Sequence, residues 1–134
     1  ESENAVSMKS SEDAAVWWAQ IDPELAGADA AWRSGNAGKG RVGARRAAGM
    51  GLKAWLSFAP RESYGTSFMH HLNALADDAG QPQAVRESAW RLAARPTPEG
   101  GFQVPLPPGL TPMADARAII AWAETEVSRL SAAP

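Results

Sequence analysis

The sequence predicts an all-α fold: a compact bundle of five or six short-to-medium helices with one long Pro/Gly-rich connection at about 95–111, where a short irregular hairpin is admissible. Three observations carry this expectation. Apolar residues recur at spacings of three and four through most of the chain, capping and proline signals mark where those segments begin and end, and six tryptophans stand mostly among alanines. Only 21 residues are Leu, Ile, Val or Phe, but the net charge of −2 lacks the excess that accompanies disorder. Each indole can bury roughly 150–250 Å² and so replace several missing leucines. The 28 alanines and 12 glycines let helices approach closely.

Residues 1–9 are polar and aperiodic and read as a loose tail, leaving 10–134 as a single helical domain. Ser10 stands three residues before Asp13, close to a capping box, and opens a helix to about residue 21. Asp22-Pro23 restarts the chain, with Asp22 as cap and Pro23 at the first helical position, for a second helix to about 34. The three glycines of 34–40 then make helix continuation costly and predict a flexible break. A long helix follows at about 41–59. Gly43, Ala47, Gly51 and Ala54 lie along one side of it, beside Met50, Trp55 and Phe58, and that side suits close helix contact.

Ser63 or Thr66 starts the next helix, with Tyr64, Phe68, Leu72, Leu75 and Ala79 as its stripe, until Gly80 and Pro82 stop it. Another begins near Pro82 with Val85, Ala89 and Leu92 on its apolar side and Trp90 near the edge. The six prolines between 96 and 112 exclude helix from the segment that holds Phe102 and Val104. Thr111 caps the last helix and Pro112 takes its first position, with Ala116, Ile119, Ile120, Ala123, Val127 and Leu130 on one face.

Several functional classes lose support at once. The absence of cysteine excludes disulfides, thiolate metal sites and cysteine nucleophiles. No apolar stretch approaches the about 20 residues that cross a bilayer, so the chain reads as soluble, either cytoplasmic or exported with a signal segment removed. Adjacent His70 and His71 diverge by about 100° on a helix and cannot ligate one metal as an i, i+4 pair does. Gly35 to Gly40 lacks the spacing and the Ser/Thr of a Walker loop, and no strands accompany it as a KH clamp requires. No Gly-x-Ser-x-Gly elbow occurs. No cofactor is implied.

The one local excess of positive charge is Lys39, Arg41, Arg45, Arg46 and Lys53. It suggests a non-enzymatic interaction or accessory module of the adaptor, chaperone or inhibitor type, bacterial by its Ala/Gly/Arg/Pro usage, that meets an acidic protein partner through this strip and through Phe102 and Val104. Two alternatives stand beside it. The basic face at about 41–59 suits nucleic-acid phosphates, against which weigh the acidic pI and the lack of interleaved exposed aromatics. An enzyme site around His70 and His71 needs carboxylates from elsewhere in the fold. Whether both neighbouring rings Trp17 and Trp18 are buried is a separate question, since an exposed one would be an interface anchor.

Overall fold

A computed structural model describes residues 2–94 and 109–132, with side chains from residue 9 onward. The described residues are all-helical: α1 (Ser2–Arg33), α2 (Ala37–Phe58), α3 (Phe68–Asp77), α4 (Gln83–Ala93) and α5 (Pro112–Ala132), with a 3-10 turn at Glu62–Tyr64. Helix α2 is the hub and touches each of the other four. The segment at 95–108, including Phe102, Val104 and the hairpin expected there, lies outside the described residues.

Two expected boundaries move. Helix α1 is already formed at Ser2, where a tail to residue 9 was expected, and it runs through Pro23, where a restart was expected. Proline removes the hydrogen bond to the carbonyl four residues back. Both Pro23 and Ala19 are exposed, so that carbonyl faces water, while Ala14, Ile21, Leu25 and Ala28 bury the opposite side of the same helix. Burial on one face outweighs a break signal on the other.

The turn between α1 and α2 is shorter than the glycines suggest. Gly35 takes φ +89°, and the Asn36 N–H donates to the Ala31 carbonyl at 2.8 Å, which closes α1 in the manner of a left-handed C-terminal turn. Asn36 then caps α2, its side chain accepting from the Lys39 N–H at 3.1 Å. Gly40 and Gly43 serve close approach rather than flexibility. A Cβ on Gly43 would lie 2.8 Å from the Ala28 Cβ and 3.3 Å from its Cα, so α1 and α2 pack nearly backbone to backbone. On the next side of α2, a Cβ on Gly51 would meet Ile120 of α5 at 3.2 Å.

Trp55 is 1% exposed and centres the aromatic part of the core, with ring centroids 5.3 Å from Tyr64 and 4.9 Å from Trp122. The remaining core is alanine, leucine, isoleucine and methionine. Trp17, Trp18, Trp32 and Trp122 are half-buried around it, and Trp90 is 56% exposed. Indoles therefore rim an aliphatic core more than they fill it. Both Trp17 and Trp18 are half-buried, so neither stands out as a bare anchor.

Polar ties close the bundle. Arg91 of α4 meets Asp115 of α5 at 2.9 Å, with Asp115 only 2% exposed, and Arg117 meets Asp29 of α1 at 2.7 Å. Thr111 caps α5 by accepting from the Ala114 N–H at 3.2 Å, at the position its sequence signal marks. No helix among the described residues is long and apolar enough to cross a membrane.

Candidate functional site

The five cations of the basic stretch are distributed over different neighbours. Arg45 reaches α4, its Nε donating to the Leu92 carbonyl at 2.7 Å and its terminal nitrogen to the Ala94 carbonyl at 2.8 Å. It thereby satisfies carbonyls that the end of α4 leaves without helical partners. Arg46 pairs with Glu24 of α1 at 3.1 Å, and the Arg41 guanidinium lies 5.8 Å from the Trp32 ring centroid. Lys39 is exposed at the start of α2. These four serve or border the joints of α2 with α1 and α4.

Lys53 behaves differently. It stands one turn beyond Gly49, and a Cβ at Gly49 would collide with the Phe68 ring, so this part of α2 runs directly beside the start of α3. The Lys53 Nζ donates to the Thr66 carbonyl at 2.7 Å and lies 3.2 Å from His71 Nε2, with the Trp17 and Phe68 rings 5.5 and 5.4 Å away. His71 is 2% exposed, and its Nδ1 is 2.8 Å from the Tyr64 carbonyl. A carbonyl only accepts, so Nδ1 carries the hydrogen and Nε2 offers its lone pair to Lys53. Burial first, and then the charge of Lys53, hold His71 below the usual histidine range, while burial pulls Lys53 below the usual lysine range.

Tyr64 links this pair to a second polar group. Its backbone carbonyl holds His71, while its hydroxyl donates to Asp78 at 2.6 Å. Asp78 also accepts from the Gln81 side chain at 3.2 Å and the Gly80 N–H at 3.0 Å, and Arg61 approaches it at 3.6 Å. The Tyr64 hydroxyl, with those further donors and the Arg61 charge, keeps the Asp78 carboxyl below its ordinary range, and burial beside Asp78 drives the Tyr64 phenol up. Arg61 itself lies 5.0 Å over the Trp55 ring.

These residues wall an open cleft of about 350 Å³ lined by Trp17, Lys53, Leu56, Arg61, Thr66 and His71, among others. None of the described lining residues is acidic. The cleft therefore combines two fixed cations, a titratable imidazole and an aromatic side wall. A second cleft of about 300 Å³, between α1 and α5, is built on Trp18, Ile21, Ile120 and Val127 with Asp22 and Glu124 at its rim. No hydrogen bond orients a polar group toward it among those described. No group of three or more His, Asp or Glu suited to a metal occurs among the described residues.

Of the residues singled out in the sequence, the cleft brings together Lys53 and His71. It leaves Lys39, Arg41, Arg45 and Arg46 elsewhere, and His70 is exposed. The pairing expected along the helix, His71 with Asp78, is replaced by one through Tyr64. Arg61 and Thr66 were not singled out as site residues. The usable signal for them was the pair Gly49 and Phe68, a glycine facing a large ring, which marks where the two segments cross.

Comparison with protein families, with curated proteins and with solved structures finds no match to this chain.

Proposed function

We propose that the protein is a non-enzymatic interaction module that receives an acidic group of a protein partner in the Lys53–Arg61–His71 cleft. The observation that carries this reading is the composition of the cleft wall: Lys53, Arg61 and His71 converge on it and no described lining residue is acidic. An arginine and a lysine at one recess favour a carboxylate over any neutral group, and the guanidinium can engage it through two parallel hydrogen bonds. Lys53 is held by Thr66 and His71 and Arg61 rests on the Trp55 ring, so little side-chain entropy remains to be lost on binding. Trp17 and Leu56 supply apolar wall for the neck that carries the acidic group.

The other cations of the basic stretch add long-range attraction more than contact. Arg45 and Arg46 already serve the Leu92 and Ala94 carbonyls and Glu24. An isothermal titration with a glutamate-rich peptide tests the reading. Lys53→Met together with Arg61→Met is expected to weaken binding at least tenfold, with circular dichroism unchanged. Equal affinity of this double variant and the native chain would refute the proposal.

A further inference from the structure

Resting on the reading of the cleft as a receiver of acidic groups, a closer look at its imidazole identifies what kind of anion site it is. His71 has no freedom of tautomer, since Nδ1–H is committed to the Tyr64 carbonyl at 2.8 Å. A second proton can therefore land only on Nε2, the nitrogen 3.2 Å from the Lys53 ammonium. That proton would turn an acceptor into a donor facing another donor and set two positive charges side by side. An oxyanion placed between them removes both conflicts, because its oxygens accept from Lys53 Nζ and from Nε2–H together.

We infer that the cleft is a proton-coupled oxyanion site, in which the bound oxyanion bridges Lys53 Nζ and His71 Nε2 and His71 takes up one proton as the anion enters. The charged groups that act on this imidazole are Lys53 from α2 and His70 beside it on α3. Arg61, from the connection between them, lines the same recess, and α1 contributes the uncharged Trp17. In the empty cleft, burial and Lys53 keep His71 neutral near neutrality. A bound oxyanion reverses the local sign and raises its proton affinity.

The sign of the linkage follows. The anion-bound form holds the proton more tightly than the empty form, so binding takes up protons and strengthens as pH falls. Between the two titration points of His71 the affinity changes by up to about tenfold per pH unit, and outside them it is flat. The shared ligand chemistry is an oxyanion with an apolar neck. Its two sources, a carboxylate on a partner protein and a free inorganic oxyanion, are separated by the probes below.

The test is an NMR titration of the His70 and His71 rings in the native chain, with sodium chloride, sodium sulfate or a glutamate-rich peptide at matched ionic strength. Sulfate keeps its charge across the range used. The expected result is a tenfold or greater rise in His71 proton affinity with the bound anion, a much smaller change at His70, and none with chloride. Calorimetry in buffers of different ionisation enthalpy should give uptake of about one proton per anion at a pH between the two titration points. Lys53→Met should remove the rise, and His70→Gln should leave it intact. A rise with the peptide alone supports the site and assigns it to a partner carboxylate, whereas an equal rise with sulfate supports it and assigns it to oxyanions generally. If Lys53 and Arg61 signals move while the His71 titration stays fixed, the proton coupling is overturned and the acidic-group reading stands. If no signal in the cleft moves with either probe at any pH, both are overturned.

Discussion

Along α2, the faces turned to α1 and α5 are glycine and alanine, whereas the corner beside α3 holds Lys53, His71, Tyr64, Asp78 and Arg61. At the first, the contact is between backbones, as at Gly43 and Ala28, and no side chain is long enough to do chemistry. At the second, each polar group is positioned by another: Thr66 holds Lys53, Tyr64 holds His71, and Asp78 is held by Tyr64 and approached by Arg61. A polar corner is a weaker source of stability than packed apolar groups of the same volume. The contrast teaches that shape is secured along the small-residue seam, and that the corner is free to be organised for recognition.

The strongest way to break that contrast is to crowd the seam. Gly43→Val places methyl groups where a Cβ alone already comes within 2.8 Å of Ala28. It is expected to lower unfolding free energy by about 3 kcal/mol, measured by urea denaturation, because two backbones must separate. A loss below the usual surface range of about 0.5 kcal/mol would mean that the seam is slack.

Next in size is Arg45→Met, which strips two hydrogen bonds from the end of α4 and should cost about 1–2 kcal/mol while leaving peptide and sulfate binding intact. Its counterpart Lys53→Met should show the reverse pattern, with stability changed by less than about 1 kcal/mol and anion binding lost. If the two substitutions behaved alike, the division between structural and recognising cations would fail.

Tyr64→Phe sharpens the corner itself. The lost hydrogen bond to Asp78 should cost about 1 kcal/mol at neutral pH. The folded Asp78 carboxyl titrates below its unfolded value, so its contribution is present above about pH 4 and disappears as acid titrates the folded form. The stability difference between Tyr64→Phe and the native chain should therefore shrink as pH is lowered from 6 to 2. A difference that stays constant across that range would show that the Asp78 carboxylate does not hold this corner.

The helical architecture was legible because its signals are local. Thr111-Pro112 opens α5 at the position it marks, and Ser67, beside the expected Thr66, caps α3 by accepting from the His70 N–H at 3.0 Å. The signals at Pro23 and Gly38–Gly40 were strong and misleading for one reason. Whether a proline breaks a helix depends on whether its lost partner faces water, and whether a glycine loosens a chain depends on whether another backbone lies against it. Neither is contained in neighbouring residues. The site was half legible. A cluster of cations was evident, but their division was decided by distant partners, Leu92 and Ala94 for Arg45 and Thr66 for Lys53.

The most direct measurement is an amide and indole NMR map of the native chain titrated with a glutamate-rich peptide. The changes should centre on Gly65, Thr66, His71 and the Trp17 indole, leaving Gly40, Gly43 and Ala28 of the seam unmoved. Changes centred instead on Lys39, Arg41 and Arg46, or absent from the corner at saturating peptide, would contradict the account.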